Sequence, residues 1–196
     1  MTVGPSVRGA ALSAGVAGAG AAFYWAVATG RLTLDLNIGR RHQPLGPIDV
    51  AIAAPREVVH QVIAEPYLGR QTRALAEKLR VVERADDSVI AEHRTRVGSR
   101  LVTATLESVR FSAPDRIDFR LLRGPVPAVA ESFTLEASDG RTLLHYEGTL
   151  ETDLWHAGVA WGRLVVRQWN AAVRASLDSI RSEAERRASH QPRANS

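Results

Sequence analysis

Four polar residues stand among apolar neighbours in the chain, and their side chains could do chemistry: His93, Arg123, Glu131 and Tyr146. A carboxyl or imidazole group in an apolar interior can donate or accept a proton, because burial and neighbouring charges move its pKa. A buried carboxylate without a partner is costly, so we expect Glu131 to be paired. Arg123 and Glu131 lie across one predicted hairpin, which predicts an ion pair between them.

The two-residue periodicity of the predicted strands decides which way these groups point. Each polar residue shares its parity with apolar residues of the same strand, which places it on the inner face if no bulge interrupts the alternation. The sets of equal parity are Val89, Ala91, His93 and Thr95; Ile117, Phe119, Leu121 and Arg123; Val129, Glu131, Phe133 and Leu135; and Leu144, Tyr146 and Leu150.

Two interpretations of these inward groups stay open. In the first, they orient the polar end of a mostly apolar ligand, or Glu131 or His93 acts as an acid or base. In the second, an ion pair closes the hairpin and His93 and Tyr146 are hydrogen-bonded core residues. We assign no catalytic residue. The predicted ligand-binding set combines the strand residues with three residues of a long helix: His93, Phe119, Arg123, Glu131, Phe133, Tyr146, Trp161, Val165 and Trp169.

Composition and spacing argue against several other classes of site. The chain has no cysteine, which excludes disulfides, thiolate metal sites and a cysteine nucleophile. The histidines lack metal-ligand spacing, and no glycine-rich phosphate loop follows a strand. The net charge of +4 comes from arginines scattered among acids, so we predict no nucleic-acid partner. We expect neither a metal nor a cofactor.

The elements that must position these residues follow from periodicity and turn chemistry. Alternation over 48–53 predicts a strand, and Pro55 begins a helix that Pro66 is expected to end. Asp139-Gly140 is a strong hairpin signal, and the other breaks also hold turn residues. Six further strands are predicted over 78–85, 88–97, 100–111, 115–123, 128–137 and 141–151.

Apolar residues recur at helical spacing over about 155–187, and Asp153 is a candidate N-cap for this helix. The apolar stripe of the helix and the apolar face of the sheet must bury against each other. We therefore predict an α+β fold in which a curved antiparallel sheet of about seven strands wraps around the long C-terminal helix. A sheet wrapped around one helix often leaves a cavity where ligands bind.

The N-terminal residues 9–30 carry no charge and are long enough for a membrane helix, although most are Ala or Gly. An uncleaved anchor, a signal peptide ending at Ala26-Val27-Ala28 and a soluble Ala/Gly segment are all open. For an anchor, flanking arginines place the domain on the cytoplasmic side, whereas cleavage implies secretion. We divide the chain into a hydrophobic segment (1–30), a linker (31–46), a ligand-binding domain (47–187) and a disordered tail (188–196).

With this element order, several local phrases resemble the START-like (SRPBCC) superfamily. They are Ala54-Pro55-Arg56-Glu57-Val58-Val59, Arg123-Gly124-Pro125-Val126-Pro127, Glu131-Ser132-Phe133 and Tyr146-Glu147-Gly148. Within the superfamily, the chain resembles the polyketide cyclase/dehydrase and lipid-transport group, and an actinobacterial type with an N-terminal hydrophobic segment. The resemblance implies the helix-grip fold and an internal cavity rather than one reaction.

The function expected from this sequence is membrane-associated binding or transport of a hydrophobic small molecule, such as a lipid, an isoprenoid or a polyketide-like compound. One alternative is a cyclase or dehydratase acting on a polyketide or aromatic substrate. Another is a membrane-tethered scaffold without a ligand. The oligomeric state stays open.

Overall fold

The computed structural model describes residues 20–69, 76–97 and 101–190. It contains seven strands and two long helices, preceded by a short N-terminal helix over residues 20–28. In chain order the elements are β1 (Arg41–Ile52), α1 (Arg56–Leu68), β2 (Leu79–Arg84), β3 (Ser88–Val97), β4 (Leu101–Ser112), β5 (Arg116–Arg123), β6 (Ala128–Ser138), β7 (Arg141–Thr152) and α2 (Trp155–His190).

All seven strands form one antiparallel sheet in the order β1-β7-β6-β5-β4-β3-β2. Strands β2 to β7 therefore form a meander, and β1 joins its far edge by pairing with β7. The β6–β7 turn has positive φ at both Asp139 (47°) and Gly140 (74°), which is what a two-residue primed turn requires. The predicted α+β helix-grip architecture is confirmed.

Strand β1 begins earlier than the alternation over 48–53 predicted. Residues Arg41 to Leu45 already pair with β7, and a bulge before Ile48 separates this part from the rest of the strand. The Gly46-Pro47 pair falls within this bulge, so its turn chemistry interrupts the strand without ending it. Residues 41–46 of the predicted linker (31–46) therefore lie in β1.

Residues 31–40 are fastened to the body of the domain by a buried carboxylate. Asp153 Oδ2 accepts hydrogen bonds from the backbone N–H groups of Leu36 (2.7 Å) and Asn37 (2.9 Å), and Arg40 Nε donates to Asp153 Oδ1 at 2.9 Å. These partners lower the pKa of Asp153. The position of Asp153 before α2 suggested an N-cap, but its side chain bonds to residues 36, 37 and 40 and does not cap the helix. Leu154 and Trp155, at the start of α2, adopt positive φ.

Residues 28–33, which overlap the start of the segment 31–40, bridge two parts of the fold at the end where α2 begins. Thr103 Oγ1 donates to the Ala28 carbonyl (2.8 Å), and the Ala104 N–H donates to the Thr29 carbonyl (3.0 Å). Thr33 Oγ1 exchanges hydrogen bonds with the backbone of Gly124 at 2.8 Å. We call residues 28–33 the bridging segment, because it joins β4 to the β5–β6 turn beside the start of α2.

Helix α2 spans 36 residues and packs against β1, β7 and α1. Glycine allows a close approach to the sheet, since a Cβ atom on Gly162 would lie 1.9 Å from Gln43 Nε2. The helix runs past the predicted end at 187 to His190, and the rest of the predicted tail lies outside the described residues. The buried residues of α2 lie on one stripe: Gly158, Gly162, Val165, Val173, Leu177 and Ala184.

Helix α1 passes through Pro66, which was expected to end it, and continues to Leu68. The helix continues because Tyr67 is a buried core residue, 8% exposed. The free energy gained by packing Tyr67 outweighs the loss of the backbone hydrogen bond that a proline cannot donate. This extra turn brings the Tyr67 ring into the interior of the domain.

Much of the predicted hydrophobic segment, residues 1–19, lies outside the described residues. Among the residues that the structure covers, none of the helices combines the length and the apolarity needed to cross a bilayer. The cleavage site considered at Ala26-Val27-Ala28 falls at the end of the short helix, where Ala28 is 5% exposed. Membrane targeting through residues 9–30 stays a prediction.

Candidate functional site

Glu131 lies on the inner face of β6 beside the apolar residues that shared its parity. Val129, Phe133 and Leu135 are buried, and Glu131 itself is half-buried. Its cross-strand neighbour on β7 is Gly148. A Cβ atom at Gly148 would lie 2.7 Å from the Glu131 Cβ, so the absence of a side chain there makes room for the carboxyl group. Sequence reasoning missed this role of Gly148.

Both hydrogen bonds to Glu131 end on the same oxygen. Tyr146 Oη donates to Oε2 at 2.6 Å from β7, and Trp169 Nε1 donates to Oε2 at 2.7 Å from α2. Oε1 has no hydrogen-bond partner among the described residues. Burial, and after it the negative charge of Glu107, raise the pKa of Glu131 to about 7 against the opposing effect of the two hydrogen bonds. The carboxyl can therefore gain or lose a proton near neutral pH.

A second polar group lies on the inner faces of β3 and β4. Glu107 is 5% exposed and accepts a hydrogen bond from Thr105 Oγ1 at 2.6 Å. His93 Nδ1 lies 3.7 Å from Glu107 Oε2, and His93 Nε2 lies 3.5 Å from the Tyr67 hydroxyl. Glu107 was missed, although it shares parity with Thr103, Thr105 and Val109, which are all buried.

Aromatic rings connect the two polar groups. Ring centroids are 5.7 Å apart for His93 and Tyr67, 6.3 Å for Tyr67 and Phe119, 5.3 Å for Phe119 and Phe133, and 5.5 Å for Phe133 and Tyr146. Burial raises the pKa of Tyr67, and the charges of Glu107 and Glu131 act in the same direction. The interior thus combines an aromatic wall with two carboxyl groups.

The expected ion pair between Arg123 and Glu131 does not form. Glu131 lies opposite Phe119 on β5. Arg123 follows Phe119 by four residues, so at the usual rise per residue of a strand it lies about 13 Å farther along β5. The β4–β5 register also shifts between Leu106 and Glu107, which leaves Leu122 as an extra residue and reverses the side of Arg123. Arg123 is exposed, with its guanidinium 3.7 Å from Glu92.

The remaining predicted site residues face the interior or the start of α2. His93, Phe119, Phe133, Tyr146 and Trp169 meet at the site described above, whereas Thr95 is exposed. Val165 is buried on the sheet-facing stripe of α2. Trp161 is half-buried nearer the helix start, and its Nε1 donates to the Pro125 carbonyl at 2.8 Å. Trp161 therefore flanks the site, and its indole N–H bonds to Pro125 rather than to Glu131.

Two surface pockets, of about 330 and 390 Å³, lie over the outer face of β4 to β7, where Asp118 and Arg120 line both of them. Phe119, Glu131 and Gly148 also contribute to the lining of the 330 Å³ pocket. Neither pocket is lined by a residue of α2, so neither lies between α2 and the inner face of the sheet, where the cavity was expected. Between α2 and the inner face of the sheet, the side chains of the described residues lie close together. Glu131, His93 and Trp169 nevertheless keep some exposed surface.

Comparisons with known proteins bear on the fold. No protein-family model matches the chain, and no curated protein matches it. Among solved structures, the Zhui aromatase/cyclase from Streptomyces sp. R1128 superimposes with a TM-score of 0.58 at 20% identity, over 76% of this chain and 95% of that one. Norcoclaurine synthase from Thalictrum flavum, solved with dopamine and hydroxybenzaldehyde, superimposes with a TM-score of 0.58 at 10% identity. The match covers 79% of this chain and 91% of that one.

The di-domain aromatase/cyclase StfQ from the steffimycin biosynthetic pathway gives a TM-score of 0.59 at 14% identity. The match covers 77% of this chain and 52% of that protein, about half its length. At these identities the likeness concerns the fold. Together with the antiparallel sheet and the long final helix, it shows that this chain has the helix-grip fold of the START-like proteins.

Proposed function

We propose that the domain binds a hydrophobic small molecule between α2 and the inner face of the sheet, with Glu131 as its polar anchor. The observation that carries this proposal is the unpaired Oε1 of Glu131, beside an Oε2 that receives two hydrogen bonds. Glu131 keeps some exposed surface and Oε1 is open to solvent, so a ligand hydroxyl or amine can replace water as its hydrogen-bond donor.

The surroundings of Glu131 suit an apolar ligand body. Phe119, Phe133 and Val165 offer apolar surface to a ligand. Each Å² of apolar surface that binding removes from water contributes about 25 cal/mol to the binding free energy. The fold neighbours include an aromatase/cyclase and a synthase solved with two small aromatic molecules, which supports a ligand of this chemical kind. Binding requires side chains between α2 and the sheet to move apart, because they pack closely in this structure.

Native mass spectrometry of the protein purified from its host, followed by solvent extraction, tests the proposal. We expect a co-purifying hydrophobic compound, and we expect Glu131→Leu to lose it. Glu136→Leu is the matched control, since Glu136 is exposed on the same strand and should leave the bound compound unchanged. A wild-type protein that carries no compound, or a Glu131→Leu variant that retains it fully, would refute the proposal.

A second candidate is acid–base catalysis of a cyclase or dehydratase type on a molecule held in the same place. The raised pKa of Glu131, to about 7, favours it, because a proton donor or acceptor works best with a pKa near the working pH. Incubating the extracted compound with fresh protein and analysing products by mass spectrometry tests this candidate. Turnover that is lost in Glu131→Gln while binding persists supports catalysis; binding without any product leaves the domain a carrier.

A further inference from the structure

Exposed apolar side chains gather at one end of the domain, the end where α2 begins. All the large exposed hydrophobic residues of the described chain belong to this end except Leu68, Val82 and Leu143. We call this surface the apolar end. Its members come from the N-terminal helix and the segment after it, from the start of β4, from the end of β5 and from the first part of α2 with the residue before it: Phe23, Tyr24, Trp25, Leu32, Leu36, Ile38, Val102, Leu122, Leu154, Trp155 and Leu164.

Direct contacts join these elements into one surface. The rings of Tyr24 and Trp161 meet edge-to-face at 5.9 Å, which places the N-terminal helix against α2. The Leu154 N–H donates to the Ile38 carbonyl at 2.7 Å, so the start of α2 lies beside residues 36–39. Clustered exposed apolar side chains of this extent mark an interaction surface, whereas isolated ones would need no explanation.

Positive charge without acidic partners borders the apolar end. Arg31 lies over the Trp25 ring at 4.4 Å, and Arg41, Arg163 and Arg167 are exposed. None of these four forms an ion pair within the described part of the chain.

Asp35, Glu151 and Asp153 lie near the apolar end and all pair with Arg40, whose single charge balances one of the three. Together with the four arginines that form no ion pair, Arg40 gives this end five positive charges against three negative ones. The surface is therefore apolar and aromatic at its centre and cationic at its border.

The sequence just before the N-terminal helix is also poor in charge. Residues 9–19 contain no charged side chain, and Arg8 is the one charged side chain of the first 19 residues. A partner at this surface must accept apolar and aromatic groups beside guanidinium groups.

We propose that the apolar end docks onto the surface of an anionic lipid bilayer. Tryptophan and tyrosine suit the boundary between headgroups and acyl chains, and apolar side chains insert there without any segment crossing the bilayer. Arginines attract anionic headgroups, each strengthening binding on the order of five-fold. This proposal goes beyond the proposed function, since the surface is separate from the interior site and docks whether or not that site holds a ligand.

Vesicle co-sedimentation of the full chain tests docking, with phosphatidylcholine vesicles compared with mixed phosphatidylcholine–phosphatidylserine vesicles. We expect binding to the mixed vesicles that weakens as salt rises. The double variant Phe23→Ser/Leu164→Ser should bind about ten-fold more weakly. Its matched control is Leu68→Ser/Val82→Ser, because these residues are 50% and 53% exposed against 51% and 48% in the test pair.

A second pair of variants tests the charge. Arg163→Gln/Arg167→Gln should weaken binding to the mixed vesicles by more than about ten-fold, whereas Arg120→Gln/Arg174→Gln should not. Circular dichroism of each variant checks that the fold is retained.

Three results would overturn the proposal. The first is equal binding by the Phe23→Ser/Leu164→Ser variant and its control, which assigns any binding to residues outside the described surface. The second is equal affinity for the two vesicle types. The third is the absence of vesicle binding together with a dimer in analytical ultracentrifugation that is lost in the Phe23→Ser/Leu164→Ser variant. That result would make a second copy of the chain the partner of the apolar end.

Discussion

Replacing Glu131 by glutamine should change how the stability of the domain depends on pH. Below about pH 4.5 the carboxyl is protonated in both the folded and the unfolded chain, so it does not alter their balance. Between that pH and about 7 the unfolded chain ionises while the folded chain keeps its proton, so stability falls by about 1.4 kcal/mol per pH unit. Above about pH 7 both are ionised and the loss levels off.

The total follows from the change in pKa from 4.5 to about 7, which corresponds to about 3 kcal/mol. Glutamine cannot ionise, and its amide oxygen can still accept from Tyr146 and Trp169. The Glu131→Gln variant should therefore gain about 3 kcal/mol over the wild type as pH rises from about 3.5 to about 8.

The assay is urea unfolding followed by circular dichroism at several pH values, with the free energy of unfolding compared between the two proteins. Other titrating groups, such as the exposed His145–Asp49 pair, occur in both proteins, so their effects cancel in the difference. Glu136→Gln, at an exposed position of the same strand, is the control for the substitution itself. A difference for Glu131→Gln that stays constant with pH would mean that folding does not shift the pKa of Glu131, and the account of its environment would be refuted.

Three further outcomes are expected. Tyr146→Phe removes the 2.6 Å hydrogen bond to Glu131, so the free energy of unfolding should fall by about 1–3 kcal/mol in urea titrations, and an unchanged value would show that the bond contributes nothing. Asp49→Asn should lower the raised pKa of His145 measured by NMR, because Asp49 lies 2.6 Å from Nδ1; the same pKa in both proteins would contradict this. Gly30→Ala should expose the N-terminal residues to proteolysis, since Gly30 has φ of 71° and a Cβ atom there would lie 2.0 Å from the Ala104 carbonyl oxygen; resistance equal to the wild type would count against this contact.

The strands and the final helix were predictable because their periodicity is strong and their turns use unambiguous residues. Asp139-Gly140 located the β6–β7 hairpin, and the predicted strands β2 to β7 match the observed ones to within one residue at each end. The errors occur where tertiary contacts outweigh local signals. Tyr67 is buried and draws α1 past Pro66, and pairing with β7 keeps Arg41 to Leu45 in a strand despite the following Gly46-Pro47.

The candidate site was predictable in part. Parity correctly placed Glu131, Tyr146 and His93 on the inner face, but it cannot reveal a bulge, and one extra residue at Leu122 moved Arg123 outside. The true partners of Glu131 are uncharged hydrogen-bond donors, and one of them, Trp169, comes from another element far along the chain. No local pattern predicts such a contact.

The bridging segment has a consequence for the N-terminal helix that precedes it. The hydrogen bonds made by Ala28, Thr29 and Thr33 contribute about 1 kcal/mol each in net terms, or about 3–4 kcal/mol together. At that free energy, between about one molecule in a hundred and one in a thousand has the segment released at any instant. The N-terminal helix can therefore separate from the domain by a local opening that does not require the sheet to unfold.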